Sequence, residues 1–230
     1  TKVDEDYPDN KLSGAVFEVY SDTNGDGKLD KDDTLLGEMK ELDGGVYQMS
    51  ELRYGKYLVK ETKAPTGFVL DENVYSVSVE ENGKTYTVEN KAGVGFINAA
   101  QKGSLKIVKT SSDGKVEGFS FRVTGVDYDQ TFKTDKNGEI VIEGLRIGDY
   151  TVSEVSDKAS AGYILPADKQ ATVKVDATAI VQMHNEFRDT PKTGDDFNLG
   201  LWVSLAALSV VGAGVLGFVG YKNRKKKKED

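Results

Sequence analysis

Cysteine is absent from the 230 residues, which excludes disulfides, zinc–thiolate centres and thiol nucleophiles together. Histidine occurs once, at His184, so a Ser-His-Asp triad could be built only there, and no Gly-x-Ser-x-Gly turn accompanies it. Four prolines rule out a proline-rich rod, while 25 glycines suit many tight turns. The chain opens without Met or a signal peptide, so the C-terminal part of a longer protein is expected. Long apolar runs are missing too, with one exception near the end.

Charge is unevenly shared. Residues 222–230 carry six cations against Glu229 and Asp230, a net +4, which leaves −12 on the rest of a chain whose total is −8. An acidic body argues against nucleic acid as a partner, since phosphate binding needs a basic face. The exception to the polar pattern is residues 199–221, 23 positions without a charge. As a helix they would extend about 34 Å at ~1.5 Å per residue, enough to cross a bilayer. Trp202 and Tyr221 fall near the two ends, and the cations that follow favour a cytoplasmic C-terminus. The preceding domains are therefore expected outside the cell, with a transmembrane precursor anchored by this helix.

Ahead of the span lies Asp189-Thr190-Pro191-Lys192-Thr193-Gly194. Pro-Lys-Thr-Gly, an apolar span and a short basic end together resemble the LPXTG-type sorting signal of Gram-positive surface proteins. The resemblance implies a sortase that cuts between Thr193 and Gly194 and joins Thr193 to a peptidoglycan precursor. Thr190 stands where that family usually has Leu. Pro191 stiffens the segment and biases Thr190 toward an extended form.

The rest of the chain repeats itself. Leu52-Arg53-Tyr54-Gly55-Lys56-Tyr57 returns 93 residues later as Leu145-Arg146-Ile147-Gly148-Asp149-Tyr150, and Gly67-Phe68-Val69-Leu70 returns as Gly162-Tyr163-Ile164-Leu165. Two tandem units are expected, 1–101 and 102–187, followed by a linker (188–198), the span (199–221) and a basic tail (222–230). Alternation in Leu105-Lys106-Ile107-Val108-Lys109 and around residues 140–142 and 150–154 indicates strands. Asn82-Gly83, Asp113-Gly114 and Asn137-Gly138 indicate turns. The fold class expected is all-β: two antiparallel Ig-like sandwiches and a C-terminal transmembrane helix.

Strand parity places charge where a core should be. Lys109 shares a face with Leu105 and Ile107, Glu154 with Tyr150 and Val152, and Asn185 with Val181 and Met183. Buried together they would be costly unless they meet. In the first unit Glu61 shares a face with Tyr57 and Val59, and Asn98 with Val94 and Phe96; Lys2 would be the lysine. Asn90 is a rival to Asn98, because Tyr86, Val88 and Asn90 alternate as well.

The segment Tyr57-Leu58-Val59-Lys60-Glu61-Thr62-Lys63-Ala64-Pro65-Thr66-Gly67-Phe68 resembles the E-box of Gram-positive pilins and of collagen-adhesin B-type (SpaA-like, prealbumin-fold) repeats. The second unit keeps Glu154 and Gly162-Tyr163 but lacks Ala-Pro. The resemblance implies intramolecular isopeptide bonds: Lys109 to Asn185 assisted by Glu154, and Lys2 to Asn98 assisted by Glu61. Residues 22–33 match a calcium-binding loop, whose ligands would be Asp22, Asn24, Asp26, the Lys28 carbonyl, Asp30 and Asp33. A solvated acidic hairpin tip is the alternative, and no other cofactor is indicated.

These features converge on a wall-anchored surface stalk that is not an enzyme. Its expected partners are sortase, peptidoglycan, the membrane before cleavage, and a host ligand or other pilins. A minor or basal pilin, or the anchoring module of a surface enzyme, would share the same signals.

Overall fold

The computed structural model describes residues 1–188, and residues Thr1–Phe187 form one compact unit. The first half holds β1 (Lys2–Asp4), β2 (Val16–Ser21), β3 (Thr34–Glu38), β4 (Lys40–Glu41), β5 (Tyr47–Gln48), β6 (Gly55–Lys63), β7 (Val74–Val79) and β8 (Phe96–Asn98). The second half holds β9 (Lys102–Ser111), β10 (Ser120–Gly125), β11 (Tyr128–Lys133), β12 (Glu139–Arg146), β13 (Gly148–Val155), β14 (Tyr163–Ile164), β15 (Lys169–Val173) and β16 (Thr178–Phe187). All regular elements among the described residues are strands. No helix among them is long and apolar enough to cross a membrane, and the expected span at 199–221, the motif at 190–194 and the basic tail lie outside the described residues.

The second half is a full sandwich, in which sheet β11-β10-β13-β15 shares one core with sheet β12-β9-β16-β14. Alternation delivers Phe121, Val123 and Val152 from one sheet against Leu105, Ile107 and Met183 from the other, all at 0% exposure. The predicted turns form with left-handed glycines, at φ 81° for Gly114 and 78° for Gly138. At Gly103 close approach is the constraint: a Cβ there would lie 2.1 Å from the Lys174 carbonyl oxygen, so a side chain would force strand β9 away from its neighbours.

The first half pairs the antiparallel sheet β3-β2-β6-β7 with two smaller pieces, β1-β8 and β4-β5. Its buried core is correspondingly small: Ala15, Phe17, Val19, Tyr57, Val59 and Phe96. A cleft of about 1150 Å³, lined by Phe17, Val19, Met49, Val77, Val88 and Phe96 among others, opens beside it.

One expectation is corrected. The sandwiches are not purely antiparallel, because in each half the first and last strands run parallel: β1 beside β8 and β9 beside β16. The chain reaches β16 by crossing from β15 in the opposite sheet, and a strand that arrives by crossover is free to run parallel to its neighbour. This decides the site. Lys109 and Asn185 are each the eighth residue of a ten-residue strand, so antiparallel pairing would have put them at opposite ends.

The halves meet through a charged clamp. Arg146 donates to Asp4 through Nη1 at 2.6 Å and Nη2 at 2.9 Å, and reaches Asp6 at 3.0 Å. Lys102 joins Asp6 at 3.1 Å, and the Arg146 guanidinium lies 4.9 Å from the centroid of the Tyr7 ring. The Tyr150 hydroxyl holds the arginine's backbone by donating to the Arg146 carbonyl at 2.8 Å. Tyr57 pins the Arg53 carbonyl in the same way at 2.7 Å, so the repeated Leu-Arg-x-Gly-x-Tyr motif is a shared backbone lock.

Candidate functional site

Identical ladder registers build the same polar trio in both halves. Lys2 pairs with Phe96 and Asp4 with Asn98 in the parallel pair β1-β8, while Lys109 pairs with Met183 and Ser111 with Asn185 in β9-β16. Lysine and asparagine are thus two residues out of register on adjacent strands in each case. The acid arrives from the facing sheet, where Glu61 lies opposite Phe17 and Glu154 opposite Phe121. All six side chains are buried, Lys2, Glu61 and Asn185 completely.

In the first trio Lys2 Nζ lies 3.0 Å from Glu61 Oε1 and donates to Asn98 Oδ1. The Asn98 amide donates to Glu61 Oε1 at 3.1 Å and Oε2 at 2.9 Å. In the second trio the Asn185 amide donates to Glu154 Oε1 at 2.6 Å, and Lys109 donates to the Thr110 carbonyl. Two buried oxygens there, Glu154 Oε2 and Asn185 Oδ1, have no hydrogen-bond partner. Aromatic rings wall both lysines: Lys2 Nζ is 4.5 Å from the Phe96 centroid and Lys109 Nζ 4.3 Å from that of Phe119.

Burial lowers the pKa of Lys2 and of Lys109, and the neighbouring carboxylates only partly offset it. Burial also raises the Glu154 carboxyl, against the opposing pull of the Asn185 amide and Lys109. The shifts thus run toward the neutral amine at both lysines and toward the protonated acid at Glu154, whose carboxyl is in contact with the Asn185 carboxamide. Such a set can carry out acyl transfer from the carboxamide to the amine.

Other candidate residues fare differently. Asn90 is withdrawn as a rival to Asn98. Residues 84–90 form no strand; its side chain is spent on Ile97, accepting from N–H at 2.6 Å and donating to C=O at 2.9 Å, and on Asp71. The six calcium ligands are not assembled as expected. Asp22 accepts from the Gly25 and Gly27 amides, Asp26 from Lys28, and Asp33 from Thr23 and Asp30. The loop carboxylates thus cap its own backbone, and no group of three or more acidic or histidine side chains among the described residues is placed to hold a metal ion. His184 is exposed, between Thr110 at 2.8 Å and Glu186 at 3.1 Å. Thr190, Pro191, Lys192, Thr193 and Gly194 lie outside the described residues.

Sequence reading missed the Asp4–Arg146 clamp, although the parity that buries Lys2 buries Asp4 with it. It also missed Asp71, whose backbone amide donates to Glu61 Oε2 at 2.9 Å.

Comparison with known proteins agrees with this architecture. No curated protein matches the chain by sequence. Among solved structures, the Bacillus anthracis TIE protein is 24% identical with a TM-score of 0.59, over 82% of this chain and 33% of that one. The pilus adhesin SpaC from Lactobacillus rhamnosus GG is 15% identical with a TM-score of 0.50, over 81% of this chain and 31% of that one. A C-terminal fragment of the same adhesin gives the same identity and TM-score, with 96% of the fragment covered. This chain thus spans about a third of the length of the TIE structure and of the larger SpaC structure, and the likeness is one of fold. The SpaA family model, described as a prealbumin-like fold domain, matches residues 1–92 and again residues 103–187. By these two matches, which take in most of its length, the chain belongs to the SpaA prealbumin-like fold domain family.

Proposed function

We propose that the chain is a structural stalk of a Gram-positive cell-surface protein, made of two prealbumin-like domains (1–101 and 102–187) that each close a Lys–Asn isopeptide bond. The supporting observation is the burial of the same lysine, acid and asparagine at the same registers twice. Two unrelated accidents would not reproduce a costly buried trio in both domains.

The chemistry follows from the contacts. The neutral lysine amine attacks Cγ of the asparagine, and the protonated glutamate polarises the carboxamide. The glutamate passes its proton to the amide nitrogen beside it and takes one back from the attacking nitrogen. The Cγ–Nδ2 bond breaks, ammonia leaves, and a secondary amide joins the two strands. The acid ends as it began, so the reaction needs no cofactor. Intact mass of the folded chain should be lower than its sequence mass by two ammonia molecules, and tryptic digestion should yield branched peptides joining Lys109 to Asn185 and Lys2 to Asn98. A full mass in the folded protein would refute the crosslinks.

Attachment is the second part of the reading. The Pro191-Lys192-Thr193-Gly194 motif, the apolar residues 199–221 and the cations after them support sortase transfer of Thr193 to peptidoglycan, with the membrane holding the precursor. Residues 188–193 would then extend about 20 Å at ~3.3 Å per residue, leaving the second domain nearest the wall. Wall-released protein should end at Thr193, and Thr193→Ala should leave the protein unattached. Recovery of the intact basic tail on wall-linked protein would overturn this part. A pilus subunit shares every one of these features, and other pilins or a host ligand would be its partners; the family match favours a structural role over catalysis.

A further inference from the structure

The two trios differ at one backbone donor. The Asp71 amide donates to Glu61 Oε2 at 2.9 Å. Ladder positions identify its counterpart: Phe68 bridges Ala100 and Tyr163 pairs with Phe187, in each case two residues beyond the asparagine of the trio. Three residues after Phe68 comes Asp71; three after Tyr163 comes Pro166. Proline has no N–H to give. The matching oxygen, Glu154 Oε2, is buried without any hydrogen-bond partner. The lysines differ in parallel, since Lys2 sits in an ion pair with Glu61 whereas Lys109 donates to the Thr110 carbonyl.

An ammonium–carboxylate pair and an amine–carboxylic acid pair hold the same number of protons, so bulk pH does not choose between them. Local hydrogen bonds do. A backbone N–H aimed at a carboxylate stabilises the ionised form and with it the unreactive ion pair. Without that donor the balance moves toward the neutral, reactive pair.

We propose that Pro166 is a positioning residue that withholds a backbone donor from Glu154, so that the second domain closes its crosslink faster than the first, where Asp71 supplies the donor. This rests on the crosslinking reading above and adds an order of events to it. The other charged groups facing the second trio are Asp157 after β13 and Asp113 after β9, and both are shared by wild type and variant. Asp157 is held by Ser120 and Ser160, and Asp113 by Tyr163.

The test follows crosslinking of the newly synthesised full chain, kept in denaturant and diluted into folding buffer. Samples are quenched over time, digested, and assayed for the Lys109–Asn185 and Lys2–Asn98 branched peptides. At neutral pH the second bond should form about tenfold faster than the first, the effect of withholding one hydrogen bond from a charged acceptor. Pro166→Ala, which restores the N–H, should slow the second bond about tenfold at neutral pH. In acid the carboxyl is protonated with or without the donor, so variant and wild type should there react at the same rate. A variant that merely damages the fold would be slower at both pH values. Pro166→Asp, which copies the first domain, should behave as the alanine variant does. Equal rates for the two bonds, or a Pro166→Ala rate unchanged at neutral pH or reduced equally at both, would overturn the proposal. Absence of either branched peptide from wild type at every pH would instead remove the crosslinking reading, and this inference with it.

Discussion

Replacing Glu154 by Gln should leave the chain one ammonia heavier than wild type and lower the melting temperature of the second domain by roughly 20 °C. Glutamine matches the size of glutamate and can still accept from the Asn185 amide that lies 2.6 Å from Oε1. It cannot exchange the proton that the departing nitrogen needs. The lost bond would have closed a loop of 77 residues from Lys109 to Asn185, worth about 4 kcal/mol on the loop-entropy scale used for disulfides. For a domain of this size each kcal/mol moves the midpoint by several degrees, about 4–8 °C. Calorimetry paired with intact mass separates the two effects. A Glu154→Gln chain with the full ammonia deficit would show that the acid has no part in the reaction.

Arg146→Ala should cost about 3 kcal/mol at neutral pH, the penalty of leaving a buried charge without its partner. Asp4 is only 2% exposed, and its carboxylate is held by both terminal nitrogens of the guanidinium. Burial alone would raise the Asp4 pKa, but the Arg146 hydrogen bonds and charge outweigh it and hold the carboxyl below its ordinary 3.8. A depressed carboxylate contributes stability above its unfolded pKa and loses it as pH falls through the folded one. Wild type should therefore weaken below about pH 4 at this site. In Arg146→Ala the sign reverses, because an unpaired buried Asp4 prefers its proton and the variant's deficit should shrink in acid. Urea unfolding at neutral and acid pH checks both statements. A variant whose deficit is the same at both would show that the clamp is not electrostatic.

Period-two alternation was enough to expose the second trio, because Lys109, Glu154 and Asn185 stand in long, regular strands where parity is unambiguous. Neighbourhood was not legible. Alternation says which face a side chain takes but not which strand lies beside it, so the parallel pairing that brings lysine to asparagine emerged only from the structure. Asn90 shows the opposite failure. It alternates with Tyr86 and Val88, yet its amide is satisfied locally by the Ile97 backbone, and that bonding replaces a ladder. In the acidic loop, carboxylates spaced like calcium ligands are equally well spaced to cap their own backbone amides, as Asp22 and Asp26 do. Pro166 carries no signal of its own; its meaning appears only when Glu61 and Glu154 are compared donor by donor.

The parallel pairing of β9 with β16 has a mechanical consequence. Lys102 opens β9 at one end of the sheet, and Phe187 leaves β16 at the other. Tension applied to the two ends would thus shear the whole ladder at once instead of unzipping it rung by rung. With Lys109 joined to Asn185, that tension would run along β9, cross one amide and leave within two residues. The 75 residues in between would bear none of it. Such a domain transmits force as a strut of fixed length while its own fold hangs slack beside the line of pull.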